Sequence, residues 1–383
     1  MIPYGRQEIT DSDVQAVEEI LRSDWLTQGP AVPRFESAVA AKVGAARAVA
    51  VNSATSALHL ACLALGLGPG GRLWTSPNTF VASANCARYC GAEVDFVDID
   101  PRSYNMSPEA LAAKLEAAQK SGRLPDIVVP VHFAGQSCEM ETIADLARQY
   151  GFKIIEDASH AVGGSYKGEP VGCCRFSDIT VFSFHPVKII TTAEGGMAVT
   201  NDQALADRMA GLRSHGITRE AELMNRPPDG PWYYQQLELG FNYRLTDIQA
   251  ALGLSQLARL NHYVERRHQL AGRYNLILAD LPLTLPWQSP DSHSAFHLYP
   301  IRVKKRDKVF GHLRACGIGV NVHYIPVHTQ PYYQALGFAP GDFPEAEKYY
   351  DETLSLPLFP ALTEAEQNKV RDALAEALAD EFT

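Results

Sequence analysis

Between residues 47 and 200, short apolar runs with strand character alternate with amphipathic stretches at helical spacing, and this rhythm constrains the fold more than any other feature. Arg47–Val51 reads as a strand, after which Leu58, Ala61, Cys62 and Leu65 follow the i, i+3, i+4, i+7 pattern of a helix. Further strands are expected at Arg72–Thr75 and at 93–97, 126–131 and 152–155, with helices at 108–120 and 139–150. Two more strands, 179–184 and 197–200, follow with little helix between them. Such a pattern packs as an α/β fold, a mostly parallel central sheet with helices on both faces.

Outside this core, an opening helix is capped by Thr10, Asp11 or Ser12 and carries Val14, Val17 and Leu21 on one face. Residues 222–236, rich in Pro, Gly and aromatics, read as a long loop, and 245–280 as helix. Strands at 296–303 and 319–324 flank a helix near 307–316, which marks a smaller C-terminal α+β domain over 256–383 beside a large domain over 1–255. With 383 residues, 46% of them hydrophobic, the chain can bury both cores without crosslinks.

Thirty-four Lys and Arg face 44 Asp and Glu, a net charge of −10 with no basic run, so neither nucleic acid nor a membrane is an expected partner. The opening MIPYGRQEIT has no apolar signal core, and the uncharged stretch 48–71 is broken by Asn52, Ser53, Thr55, Ser56 and His59. It falls short of the ~20 apolar residues a span needs. A soluble, cytoplasmic protein is expected. The 7 cysteines include Cys86 and Cys90 on one helical face, but no second Cys/His pair completes a zinc set. They read as buried thiols, and no metal site is expected.

Gly66-Leu-Gly68-Pro-Gly-Gly71 matches GxGxxG formally, but it leaves a helix and precedes a strand, the reverse of a dinucleotide fingerprint, and reads as a turn. Asn52–Ala57 is a better anion site: it runs from an apolar strand into a helix, and small residues such as Ala54 and Thr55 leave backbone amides approachable. Simple capping by Asn52 and Ser53 explains the segment equally well. Lys188 is the one formally charged residue in ITVFSFHPVKIITTA (179–193). An ammonium there is either solvated or desolvated, and desolvation lowers its pKa toward the neutral amine that forms Schiff bases. Gly195 and Gly196 would let the backbone pass close to a bound group. Asp157 ends the apolar run Ile154–Glu156, at the strand edge where α/β folds hold ligands. A hydrolase triad of Asp157, His160 and Ser183 lacks a nucleophile elbow.

Five segments occur together in order: NSATSALHLA (52–61), PNTFVASAN (77–85), EDASHAVGG (156–164), SFHPVKIITTAEGGMAVTND (183–202) and LGFNYRLTDIQAALGLSQL (239–257). With them the chain resembles the DegT/DnrJ/EryC1/StrS sugar-nucleotide aminotransferases, pyridoxal-phosphate (PLP) enzymes of fold type I. PYGRQEI (3–9), SDWLTQGP (23–30) and VNVHYIPVHTQPYY (320–333) look like the family's pseudaminic-acid branch. The resemblance implies PLP held as an aldimine on Lys188, with Asp157 at the pyridinium nitrogen. Phe80 would stack on the ring, and His160 would lie near the ring hydroxyl. Ala54, Thr55 and Ser183 would hold the phosphate, joined by Asn242 of a second subunit in a homodimer. Tyr4, Trp25, Leu26, Thr27, His323 and Tyr324 would line the nucleotide-sugar site.

The implied reaction moves an amino group from L-glutamate to the 4-keto carbon of a UDP-4-keto-6-deoxy-N-acetylhexosamine, giving UDP-4-amino-4,6-dideoxy-N-acetyl-β-L-altrosamine. A 4-aminotransferase for a D-configured UDP or GDP sugar, or a PLP-binding regulator without turnover, is the alternative. Arg213 and Arg244 are candidates for holding the donor's carboxylates by motif proximity alone.

Overall fold

The computed structural model describes residues 1–379. Its centre is a sheet of strands β1 (Arg47–Val51), β2 (Arg72–Thr75), β3 (Glu93–Phe96), β4 (Ile127–Val129), β5 (Lys153–Asp157), β6 (Ile179–Ser183) and β7 (Gly196–Thr200). They lie in the order β1-β7-β6-β5-β4-β2-β3, and only β7 runs against the rest. The connection out of β6, residues 184–195, forms no crossover helix of the kind that links parallel strands, and β7 returns antiparallel.

Period-two alternation divides the strand residues between the faces. Val49, Val51, Ile127, Val129 and Ile155 join one hydrophobic cluster with helices α3 (Ala54–Ala64) and α4 (Ala82–Tyr89). The intervening Ala50 faces α2 (Ala31–Val43), while Val128 and Ile154 face α5 (Pro108–Ser121) and α6 (Met140–Tyr150). α3 is buried along most of its length and packs across β1, β5, β6 and β7, as its Ala- and Leu-rich sequence requires.

α1 (Asp11–Leu21) forms where expected, with Thr10 in a capping box, and its apolar residues are unequally buried, Val17 and Ile20 partly so. Val14 and Leu21 are more than half exposed, and the buried residue is Asp13. Asp13 accepts two hydrogen bonds from Arg259 (2.6 and 2.7 Å) and one from Gln256 (2.8 Å), so a charged anchor docks this helix. The same anchor lies at the break in the long helical stretch. After α7 (Gln203–Arg213) come two helices, α8 (Asp247–Leu257) and α9 (Leu260–Ile277), that meet beside Asp13.

A second hydrophobic cluster combines Ile2 with α9, the antiparallel pair β8 (Tyr299–Arg302) and β9 (Thr353–Leu356), and the helices α10 (Arg306–Ala315) and α11 (Glu364–Ala379). Between β8 and β9 the chain returns to the first cluster through Val327, Tyr333, Phe343 and Tyr349. The strand expected over 319–324 does not form. Gly319 donates to Ile2 O (2.6 Å), Asn321 makes an isolated bridge to Ser355, and the Asn321 side chain is spent on Val322 N and His323. Pro326 then ends any extended pairing. Residues 66–71 form the expected turn between α3 and β2. The segment 222–236 is mostly loop, closed by a short pairing of Gln235–Gln236 with Ile217–Thr218. Five cysteines are buried, Cys173 and Cys316 are partly exposed, and all are free thiols. No helix among the described residues is long and apolar enough to cross a membrane.

Candidate active site

Six strands of the central sheet run the same way, so their carboxyl ends share one edge. β7, being reversed, begins at that edge and delivers Gly195 and Gly196 to it. A cavity of ≈ 540 Å³ opens there. Asp157, the last residue of β5, is 5% exposed and lines it. Its Oδ2 accepts from Ser83 Oγ (2.6 Å), and its Oδ1 accepts from the amide and hydroxyl of Ser159 (3.1 and 2.6 Å). Since the Ser83 proton is committed to the carboxylate, the bond between Ser83 Oγ and Thr79 Oγ1 (2.8 Å) is donated by Thr79.

Lys188 sits in the loop between β6 and β7. That loop is pinned to Phe184 by Thr191 Oγ1 (2.9 Å) and Thr192 N (3.0 Å), and Ile189 and Ile190 are buried beneath it. Lys188 Nζ has no hydrogen-bond or ion-pair partner among the described residues. Burial lowers its pKa to about 8, and the Asp157 charge limits the fall. Both readings of residues 52–57 hold, at different atoms. Ser53 caps α3 by accepting from Ser56 N (3.1 Å), while the first two amides of the helix, Ala54 and Thr55, lie on the cavity wall outside the helical ladder. Ser183 completes that corner. A Cβ on Gly196 would meet Ala54 N at 2.5 Å, so only glycine lets β7 start against this helix end.

Opposite this corner, His160 Nδ1 accepts from Ala134 N (3.2 Å), which fixes the ring proton on Nε2, where it is donated to the Tyr324 hydroxyl (2.9 Å). Burial and the nearby Lys188 hold His160 well below the usual histidine range. His323 likewise accepts from Asn321 Nδ2 (3.2 Å) and donates to Ser355 Oγ (2.8 Å), and burial with Lys188 lowers it to about 3. Burial raises Tyr324 and Tyr4 above the usual phenol range. Phe80, 59% exposed, stands at the mouth with its ring 6.4 Å from that of Tyr324.

The structure therefore gathers Tyr4, Ala54, Thr55, Phe80, Asp157, His160, Ser183, Lys188, His323 and Tyr324 in one cavity. Trp25, Leu26, Thr27 and Asn242 are exposed and lie outside it. Thr27 bridges Thr246 at the start of α8, and Asn242 bridges Ser214 at the end of α7. Arg213 is not available for a donor's carboxylates, because it pairs with Glu36 (2.5 Å) and donates to Ala50 O (2.7 Å). Arg244 bridges Val51 through its backbone and does not line the cavity. Sequence reasoning missed Ser83, Thr79 and Ser159, although the Thr79/Ser83 spacing of four and the Asp-x-Ser turn both carry a local signal. It also missed His297, which lines the cavity 4.4 Å from the His160 ring and has no local signal.

A lysine shifted toward its neutral form, a carboxylate and a helix amino end meeting at one sheet edge agree with what the whole chain matches. The DegT/DnrJ/EryC1/StrS aminotransferase family is matched over residues 7–375. This chain belongs to that family. It is 42% identical over 385 residues to the spore coat polysaccharide biosynthesis protein SpsC of Bacillus subtilis (strain 168), covering 98% of this chain and 96% of that protein. Helicobacter pylori PseC, described as an aminotransferase involved in the biosynthesis of pseudoaminic acid, superposes with a TM-score of 0.89 at 32% identity and covers 99% of each chain. Spr1654 of Streptococcus pneumoniae, solved in PMP-form and PLP-form, matches with TM-scores of 0.90 and 0.88 at 28% identity, covering 99% and 100% of this chain and all of that one. The protein is thus a PLP-dependent sugar aminotransferase acting on a nucleotide sugar, with an amino donor as its second substrate.

Proposed function

We propose that the chain transfers an amino group from L-glutamate to the 4-keto carbon of a UDP-4-keto-6-deoxy-N-acetylhexosamine. The product is then UDP-4-amino-4,6-dideoxy-N-acetyl-β-L-altrosamine. The observation that carries the chemistry is the shared cavity: Lys188 Nζ without a partner, Asp157 held by three donors, and the unladdered amides of Ala54 and Thr55. These fit a cofactor with a carbonyl carbon, a protonated ring nitrogen and a phosphate. Bound pyridoxal phosphate supplies a carbonyl for the donor's amino group and a ring that withdraws electrons from the donor's α-carbon.

Lys188 holds the cofactor between turnovers, and its neutral Nζ takes the proton from the donor's α-carbon and later returns one. Asp157 keeps the ring nitrogen charged, with Ser83 and Ser159 fixing the carboxylate. The Ala54 and Thr55 amides and the Ser183 hydroxyl bind the phosphate, aided by the positive end of α3. Phe80, at the cavity mouth, would cover one face of the cofactor ring, and His160 orients the Tyr324 hydroxyl. Tyr4, His323 and Tyr324 form the wall nearest the sugar.

A homodimer is part of the proposal. Asn242 is exposed and does not line its own cavity, and Val14, Leu21, Trp25 and Leu26 are exposed apolar residues on and after α1, the helix that packs against α8. In a second copy, Asn242 would complete the phosphate site and Trp25–Thr27 the sugar site. The division into a large domain and a smaller C-terminal one, and a cytoplasmic location, belong to the same reading. The sugar assignment is supported by the likeness to PseC and by the segments 3–9, 23–30 and 320–333. No observation favours a regulator without turnover.

The test loads the protein with PLP, adds L-glutamate and follows the cofactor absorption, then offers the 4-keto sugar as its L-arabino and D-xylo epimers separately. The expected result is loss of the absorption with glutamate and recovery with the L-arabino sugar alone. Recovery with only the D-xylo epimer overturns the sugar assignment and keeps the chemistry. No response to glutamate overturns the donor.

A further inference from the structure

We propose that the C-terminal helices carry a binding site for a divalent cation of the zinc class, built from His312, Cys316 and Glu376. His312 lies on α10 and Cys316 closes that helix as its C-cap, four residues on and therefore on the same face. Glu376 comes from α11, which packs against α10. Cys316 Sγ is 3.5 Å from His312 Nε2, and His312 Nε2 is 3.4 Å from Glu376 Oε2. All three donor atoms lie within 4.8 Å of one another.

These separations are those of ligands around one ion. Zinc takes nitrogen and oxygen at ~2.0 Å and thiolate sulfur at ~2.3 Å, and tetrahedral angles then space nitrogen from oxygen by ~3.3 Å and nitrogen from sulfur by ~3.5 Å. The two edges from His312 Nε2 match these spacings, and the Cys316–Glu376 edge, within 4.8 Å, closes to its tetrahedral ~3.5 Å by rotation of the exposed Glu376 side chain. As a direct hydrogen bond, an N···O contact of 3.4 Å is long. An imidazole, a thiolate and a carboxylate suit zinc and its neighbours in the transition series, whereas magnesium and calcium prefer oxygen throughout. The two anionic ligands also balance the ion's charge. Cys316 and Glu376 also line a cavity of ≈ 410 Å³ with Asp372, Asn368 and Lys369, which has room for water as a further ligand.

None of these residues touches the Lys188 cavity, so the ion would join α10 to α11 and take no part in transamination. The two helices flank the second hydrophobic cluster through Val309, Leu313, Leu374 and Leu378, and the ion would lock that contact from outside.

The test uses untagged holoenzyme stripped with a chelator, dialysed against Zn²⁺ and then against buffer, with bound metal measured by plasma mass spectrometry. Cys316→Ser and Glu376→Gln are treated in parallel; Cys316 is partly exposed and Glu376 exposed, so folding is retained. The wild-type protein is expected to keep one equivalent of zinc more than either variant. Its affinity in a chromogenic-chelator competition should be about tenfold or more higher. Zn²⁺ should raise Tm only in the wild type, and transaminase turnover should be the same in all three. Equal zinc content, or an equal Tm response, in wild type and both variants overturns the proposal.

Discussion

At the end of β5, Glu156 and Asp157 are adjacent, both about 5% exposed, and turned to opposite faces of the sheet. Glu156 accepts from His132 Nε2 (2.7 Å), Ser177 Oγ and Thr180 Oγ1 (3.0 Å), and His132 in turn accepts from Cys138 N (3.1 Å), which fixes its proton toward the carboxylate. Burial pushes the Glu156 pKa up, but these donors outweigh it and hold the carboxyl below its usual range. Asp157 also has three donors, yet it lines a cavity and faces a lysine with no partner. Burial and hydrogen bonding do not separate the two. The Glu156 network is closed within the protein, whereas Asp157 borders space that another molecule can enter.

Lys188→Ala tests the open side most severely. Turnover should fall by at least the ~10²–10⁴-fold assigned to general acid–base transfer, with Tm close to that of the wild type. Near-wild-type turnover would end the assignment. Exchanging the two carboxylates for amides comes next. Asp157→Asn should cut turnover ~10²-fold or more and leave Tm within a few degrees. Glu156→Gln should lower stability by about 1–3 kcal/mol in denaturant unfolding while the folded fraction keeps its turnover. If both variants lost the same property, the contrast between the faces would collapse.

A smaller effect concerns protonation of the cofactor-free protein. Lys188 binds its proton less tightly when folded, at about 8, than in the unfolded chain at 10.5. The unfolded state therefore binds more protons between those values, so stability rises with pH across that window. Below about pH 8 the buried charge costs stability. Lys188→Met should be more stable than the wild type at pH 7 by about 1–3 kcal/mol after allowing for screening by cavity water. The two unfolding curves should converge near pH 10.5. Parallel curves would mean that Lys188 is solvated. Ser83→Ala should have the mildest effect, slowing turnover ~10-fold by freeing one Asp157 oxygen. An unchanged rate would show that Ser159 alone positions the carboxylate.

Much of this could be read in the chain. Strand periodicity is local, so β1 and β2 were expected at their observed bounds. Lys188 stood out because a charge in an apolar loop is conspicuous by type alone. What escaped depends on distant partners. Nothing near Val14 shows that the helix docks through Asp13 to Arg259. The alternating residues of 319–324 look like a strand until Ile2 and Ser355 take their backbone groups one at a time. His297 enters the cavity from β8's approach, far along the chain from Asp157.

The hydrogen bond from Ala134 to His160 reaches further than the ring it orients. With Nδ1 occupied and Nε2–H given to Tyr324, the tyrosine keeps its own proton for whatever enters the cavity. His160 and His323 stay uncharged, and Tyr324 stays a phenol, across the range in which cells live. The wall offers an incoming sugar the same pattern of donors whether the medium is mildly acidic or mildly alkaline. Among the groups whose proton affinity the cavity alters, Lys188 alone is brought near neutrality, while the wall that would meet the sugar keeps one protonation state.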